Sequence, residues 1–512
     1  MSLGRTRAVA LEGIEGSLVD VEADVAQGLP QFTVSGLPDT ACRQSPDRIK
    51  AAAANSGVPI PNRRLTVNLS PASLPKAGSG FDLPIAVAVL AAAGLVPRDV
   101  VDRVVHLGEL SLDGSVRPVR GVLPAVLAAA RAGVAEVVVP AANAVEAALV
   151  PGITVRSARH LAELVARYDL LGRGGRPDDP DVAAPAREDE ASLPDLRDVV
   201  GQDEARLALE IAAAGGHHVF MVGPPGAGKT MLAERLPGLL PPLDDQQALE
   251  VTAIQSVLGC LPRSTGLVRR PPFVAPHHGA SMPAIVGGGS GQIRPGAVSR
   301  AHHGVLFLDE SPEFRSSVLQ ALRQPIESGV AVVARASGVV SYPARFQLVM
   351  AANPCPCGLG FGKGADCSCS PLARRGYLGK LAGPVLDRVD LQLPVRAVSR
   401  AALAAEPGEP SATVARRVGA ARDLQAERLA GTPWRLNSGV PGDVLRRGGL
   451  RLPHEVTQDL DRAIDRGLLT LRGYDRVLRL AWTVRDLAGG GAPTRADVGM
   501  ALTLRAHATA AA

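Results

Sequence analysis

Eight consecutive residues, Gly223-Pro224-Pro225-Gly226-Ala227-Gly228-Lys229-Thr230, constrain this chain more than any others. A short apolar run over 217–222 leads into them, and a helical pattern over 231–236 follows. A strand, a glycine-rich turn and a helix in that order form a cradle whose backbone N–H groups close around phosphate oxygens. In that cradle Lys229 meets the β- and γ-phosphates of a nucleotide, and Thr230 offers its hydroxyl to Mg²⁺. Lysine is scarce here: Lys50, Lys76, Lys229, Lys363 and Lys380 are the whole complement. One of them standing at the end of a glycine-rich loop is therefore informative.

Three later segments carry side chains that such a loop needs. The apolar run Val305-Leu306-Phe307-Leu308 ends in Asp309-Glu310. A buried strand would present both carboxylates at its carboxyl end, where ligands bind in open α/β sheets. Asp309 is expected to hold Mg²⁺ through water and Glu310 to polarise the attacking water. A third strand over 346–351 leads to Asn353, whose amide is placed to orient that water. The segment 383–390 contains Arg388, which in a ring could reach the γ-phosphate bound by a neighbouring subunit.

At 512 residues the chain is expected to divide into two to four domains. Residues 1–171 read as mixed α/β, with strands near 65–69, 104–107 and 137–139 between helical stretches at 85–93 and 123–132. Residues 172–194, rich in Gly, Pro, Asp and Glu, read as a linker. A second α/β unit covers 195–395, and a helical part covers 396–512, its period clearest over 468–487. A formal charge of +5 permits nucleic-acid binding without demonstrating it. The start of the chain lacks the apolar core of a signal peptide, and the longest apolar run, 84–97, is too short for a bilayer. A cytoplasmic protein without a membrane partner is expected.

Of six cysteines, four crowd into 355–369 with the spacing Cys355-x-Cys357-x9-Cys367-x-Cys369. Four thiolates suit tetrahedral Zn²⁺, although one-residue spacing is tighter than the usual two to four, and a reduced metal-free loop is the alternative. The pairs His277-His278 and His302-His303 lack zinc-ligand spacing and are expected near the nucleotide or in a subunit contact. Residues 330–335 and 339–342 read as a hairpin turning at 336–338. Arg294 and Arg335 are the side chains expected near a phosphate backbone, and Lys363, Arg374 and Arg375 flank the cysteine loop.

With these residues assembled, the chain resembles the ComM/YifB family of magnesium-chelatase-like AAA+ proteins over nearly its whole length. The motifs are Gly36-Leu37-Pro38-Asp39, Asn68-Leu69-Ser70-Pro71-Ala72, Gly80-Phe81-Asp82-Leu83-Pro84, Pro276-His277-His278-Gly279-Ala280-Ser281, the run from Ala301 to Glu310, and Asn353-Pro354-Cys355-Pro356-Cys357-Gly358. The resemblance implies a Lon-protease-like (ribosomal S5 domain 2-like) N-terminal domain, a AAA+ P-loop NTPase core and an α-helical C-terminal lid. It also implies a Mg²⁺-ATP-driven homo-hexameric motor on branched or single-stranded DNA, a branch-migration helicase or translocase in recombination or transformation. By the same resemblance Arg388 is the arginine finger, Asn353 is sensor 1 and Arg472 is sensor 2. Where relatives read Ala-Arg-Thr, this chain has Ala481-Trp482-Thr483.

The Lon-like segment is 107–116, and Lon works with a Ser–Lys pair. Aligned on Lon's motifs, Gly80 stands at the serine and Leu123 at the lysine. A catalytically inactive domain serving ring assembly or DNA handling is expected. The competing readings are a metal-chelatase motor subunit, a non-enzymatic DNA-binding scaffold and an ATP-dependent protease.

Overall fold

Along Arg64–Ser70 the side chains of Leu65, Val67 and Leu69 point inward while Arg64, Thr66 and Asn68 face solvent. That period of two marks a sheet covered on one face. The computed structural model describes residues 3–177, 193–261, 266–289, 293–335, 338–360, 367–381, 385–398, 402 and 406–510. Most of the expected linker, the hairpin turn at 336–337, residues 290–292, Lys363 and residues 383–384 lie outside the described residues.

The first domain is built on a seven-stranded mixed sheet. Its centre is the antiparallel hairpin of Leu3–Glu12 and Glu15–Ala26. Helix Asp82–Ala92 is buried along its whole length and lies across this hairpin. It approaches so closely that a Cβ at Gly4 would stand 2.2 Å from the Ala88 carbonyl oxygen.

The second unit is a five-stranded sheet in the order Phe273–Val274, Val305–Leu308, Gln347–Ala352, Val219–Val222, Leu391–Pro394, all parallel. The three central strands are buried at every residue, as a parallel sheet covered on both faces requires. Because all run one way, Val222, Leu308 and Ala352 end at one edge, while Gly304, Phe346 and Asp390 lead in at the other.

Helices Ser411–Arg428, Gly442–Arg447, His454–Asp465, Leu471–Leu487 and Arg495–Ala510 form the C-terminal part. Val414, Val418, Leu460 and Val477 belong to one apolar core with Val219 and Leu391 of the sheet. Trp482 lies beneath the Arg428 guanidinium at 4.5 Å. Arg428 in turn forks onto Asp486 at 2.6 and 2.7 Å. Thr483 accepts from His217 Nε2 at 2.8 Å and from Asn437 Nδ2 at 3.0 Å, tying the bundle to the start of the strand Val219–Val222.

The first domain meets the second through two helices, Val122–Arg131 and Asp245–Leu258. Ala253 of the latter is part of the first domain's apolar core. Glu146 caps the former by accepting from Leu123 N–H at 3.0 Å, and it also accepts the Ser256 hydroxyl across the junction. Among the described residues no helix is long and apolar enough to cross a membrane.

Candidate active site

Gly223 leaves the strand Val219–Val222 where a Cβ would meet the Val395 carbonyl oxygen at 2.1 Å, so no larger residue fits the start of the loop. Gly226 and Gly228 have φ of +75° and +89°, the left-handed region that glycine enters without strain. Helix Lys229–Arg235 begins directly on the loop. The ammonium of buried Lys229 donates to the carbonyls of Gly223 (2.7 Å) and Pro224 (3.0 Å) and to Asn353 Oδ1 (3.1 Å). Burial lowers its pKa, with Asp309 and Glu310 working in the opposite direction.

Thr230 Oγ1 donates to Asp309 Oδ2 at 2.8 Å. The hydroxyl and the carboxylate expected to share Mg²⁺ are therefore already adjacent, an oxygen set suited to a hard cation. Glu310 follows just past the strand end in a left-handed backbone conformation (φ 48°). There it meets His278 Nδ1 at 3.1 Å. The whole expected set of Gly223 to Thr230, Asp309, Glu310 and Asn353 thus converges at the carboxyl edge of the sheet.

Arg388 and Arg472 do not join it. Arg388 precedes the strand Leu391–Pro394, whose Leu391 is in register with Val219 and whose Pro394 is level with Val222. Three residue steps of about 3.3 Å put it roughly 10 Å or more from the loop, at the amino edge. There it is buried and ion-paired with Glu327. Arg472 is exposed on the first turn of Leu471–Leu487. One turn on, Arg476 Nη1 reaches Asp390 Oδ1 at 2.5 Å, which fixes this part of the helix to the amino edge as well. Burial alone would raise the Asp390 carboxyl, but Arg476 and His217 hold it well below the usual carboxylate range.

The amino edge opens into a cavity of about 780 Å³ lined by Arg345, Arg388, Arg422, Arg435, Arg476 and Arg479, against the carboxylates of Glu327 and Asp390. Desolvation brings Arg422 down to about 10 and also lowers Arg479, the response of cations gathered out of water. No local sequence signal points to this cavity, because its arginines come from distant segments.

The two histidine pairs separate between the edges. His278 lies beside the nucleotide set, whereas His302 and His303 both hydrogen-bond Glu250 Oε2, at 2.9 and 2.8 Å. These bonds hold Glu250 far below the ordinary carboxylate range. His302 Nδ1 accepts the Arg345 N–H at 3.0 Å, so its Nε2 carries the proton given to Glu250 and is not a metal ligand. The four cysteines do come together: Cys355, Cys357 and Cys367 have sulfurs 3.3–3.6 Å apart, and with Cys369 all four lie within 4.8 Å. Tetrahedral Zn–S bonds of about 2.3 Å place sulfurs roughly 3.8 Å apart, which this set matches. Arg294 and Arg335 are exposed on adjoining hairpins, joined where Tyr342 Oη donates to the Ile293 carbonyl at 2.7 Å.

In the first domain, Leu123 is fully buried in the core that includes Ala253. A Cβ at Gly80 would touch Val119 at an ordinary 3.7 Å, so the serine is missing although there is space for it. Ser79 donates to Glu109 and the buried Lys76 to the Pro71 carbonyl, each hydroxyl or ammonium engaged by a partner of its own.

A phosphate loop at the end of one strand of a parallel sheet, paired carboxylates at the end of the strand two places away, Asn353 after the strand between them and a helical bundle packed on the sheet define an ATPase of the AAA+ type. Residues 195–403 match the family described as magnesium chelatase, subunit ChlI; residues 21–143 match subunit ChlI of Mg-chelatase, and residues 408–505 its C-terminal part. The chain is 52% identical over 506 residues to an uncharacterized protein of Mycobacterium tuberculosis, covering 99% of each. It is 39% identical over 508 residues to the uncharacterized protein YifB of Escherichia coli (99% of this chain, 97% of YifB). With competence protein ComM of Haemophilus influenzae it shares 39% over 493 residues, 96% of this chain and 94% of ComM. The chain belongs to the ComM/YifB family of magnesium-chelatase-like proteins. Its likeness to a Lon protease is partial: 32% over 135 residues, a quarter of this chain, with Lon protease 1 of Sorangium cellulosum.

Proposed function

We propose that this chain is the subunit of a homo-hexameric, ATP-driven DNA translocase of the branch-migration type, acting on branched or single-stranded DNA in recombination or transformation. In this reading Lys229 exchanges its carbonyl partners for phosphate oxygens, and Thr230 and Asp309 hold Mg²⁺. The bound ion supplies charge neutralisation on the phosphates. Glu310 accepts a proton from the attacking water, and Asn353 orients it. Arg388, together with Arg472 on the lid, serves the nucleotide of the adjacent subunit. The first domain is an inactive scaffold, and Arg294 and Arg335 face the DNA backbone. The same proposal assigns one Zn²⁺ to Cys355, Cys357, Cys367 and Cys369.

The observation that carries the reading is the division of the apparatus between two edges of one sheet. A base, a metal cradle and one lysine stand at one edge, and a surplus of arginines stands at the other. In the proposed ring a neighbouring copy would bring the two together, and closure would satisfy every edge. The 39% identity to a competence protein along nearly the full chain favours DNA as the track. The match to the magnesium-chelatase 38 kDa subunit of Rhodobacter capsulatus spans 30% of this chain, against 96% for the match to ComM, which favours the DNA reading over a chelatase motor.

A strand-exchange assay on branched DNA with purified protein tests the proposal. ATP-dependent movement of the branch point, absent in Glu310→Gln, is expected. Vigorous ATP hydrolysis that neither moves a branch nor responds to any DNA would sink the DNA assignment and favour a chelatase-type motor.

A further inference from the structure

Resting on the zinc assignment, we infer that the loaded cysteine centre is a brace for the phosphate loop, so that its occupancy sets the affinity for ATP. The loop is attached to the nucleotide site at two points that flank its first two ligands. Upstream, Asn353, two residues before Cys355, accepts from Lys229 Nζ at 3.1 Å. Downstream, Gly358, one residue after Cys357, sits against Pro225 in the middle of the phosphate loop: a Cβ at Gly358 would lie 2.7 Å from Pro225 Cγ. Its φ of +80° is a second reason for glycine there.

Between these points the chain wraps a sulfur. Cys355 is fully buried, and its Sγ accepts the Gly360 N–H at 3.2 Å while its carbonyl accepts the Gly358 N–H at 3.0 Å. An N–H aimed at a buried sulfur stabilises a thiolate and is the kind of support that orients metal ligands. The last ligand, Cys369, directly precedes Ser370, whose hydroxyl caps helix Pro371–Gly379 by accepting from Ala373 N–H at 3.2 Å. One ion on the four sulfurs would therefore cross-link the end of strand Gln347–Ala352, the face of the phosphate loop and the start of that helix.

The chemistry balances simply. Zn²⁺ and four thiols give a tetrathiolate complex of charge −2 and four protons released to solvent. Zinc suits the set better than an iron–sulfur cluster, because sulfurs within 4.8 Å enclose one ion, whereas a cluster of several irons needs its thiolates spread wider. Without an ion, four neutral thiols attract one another weakly. The segment from Cys355 to Gly360 then loses the cross-link that holds it, and Pro225 loses its backing.

The test uses the full chain purified without chelators. Metal content is measured by atomic emission, and affinity for Mg²⁺-ATP by displacement of a fluorescent analogue. About one zinc per chain is expected. Stripping it should weaken ATP binding by about tenfold or more, in line with the usual effect of losing support around a site, and added zinc should restore affinity. Cys367→Ser should lose both metal and affinity, and Gly358→Ala should keep its zinc while binding ATP less well. Zinc present, with ATP affinity unchanged on reversible stripping of the wild-type chain, overturns the brace and leaves the zinc assignment standing. Protein that binds ATP tightly with no zinc, or with visible iron–sulfur absorption, overturns the zinc assignment itself.

Discussion

The two edges of the parallel sheet are built from the same backbone yet present opposite chemistry. At the carboxyl edge Lys229 stands with Asp309 and Glu310, and the loop's Gly226 and Gly228 take left-handed backbone conformations. At the amino edge six arginines line one cavity with two carboxylates, and the backbone there is tied into the helical bundle. One edge is arranged to hold a triphosphate and deliver a proton acceptor. The other carries excess positive charge, and its carboxylates Glu327 and Asp390 are paired with Arg388 and Arg476. The difference is the ground of the proposal that hydrolysis is divided between two copies, since the strand direction keeps the two edges about 10 Å or more apart.

The largest expected effect breaks the carboxyl edge. Lys229→Ala should abolish ATP turnover, whereas Glu310→Gln should bind ATP normally and lose turnover by about 10² to 10⁴-fold, the range for removing a general base. Paired binding and phosphate-release assays read the two apart. Equal loss of binding in both variants would mean that Glu310 holds the nucleotide rather than activating water. At the amino edge the first expected loss is stability. Arg476→Ala leaves buried Asp390 short of its closest cation, and breaking such a pair costs about 3–5 kcal/mol. Urea denaturation should show this loss; an unchanged midpoint would mean that His217 and the backbone N–H of His218 suffice.

A smaller effect is a titration confined to the amino edge. Burial, reinforced by Arg476 and opposed by Asp390, lowers His218 to about 4. Its Nδ1 accepts the Leu348 N–H at 3.0 Å, a bond that protonation would destroy. The unfolded chain protonates this imidazole near its ordinary value of about 6.5, while the folded chain resists to about 4. The contribution is therefore full above about 6.5 and declines as the pH falls toward 4. Replacing His218 with Gln should flatten that decline in a thermal-denaturation series, and an identical pH profile would remove His218 from the account.

Much of the carboxyl edge was legible in the sequence, and the reason is physical. The phosphate loop, the run ending in Asp309-Glu310 and Asn353 are each local, because a strand end presents its next residues at a known place. The cysteine cluster was equally readable, since its four thiols fall within fifteen residues. The amino edge was not, because it is assembled by pairing across the chain: Glu250 with His302 and His303, Glu327 with Arg388, and Asp390 with Arg476, 86 positions apart. Nothing local in Glu250 or Asp390 announces such partners. His278 was expected near the nucleotide, but its contact with Glu310 depends on how the adjacent strands align. Arg472 shows the limit of motif matching, since a helix start can match while the packing of the bundle decides which edge it serves.

The central claim, that two copies complete one hydrolytic site, is tested most directly by mixing variants. Arg388→Ala keeps its own loop and Glu310; Glu310→Gln keeps its arginine. Each alone should form rings that are nearly inactive. Mixed rings contain interfaces where an intact Glu310 faces an intact Arg388, so ATP turnover should reappear and peak at intermediate ratios. If mixed rings form, as shown by co-purification of differently tagged variants, and turnover stays at the level of the separate variants at every ratio, Arg388 does not act across the interface and the divided site is wrong.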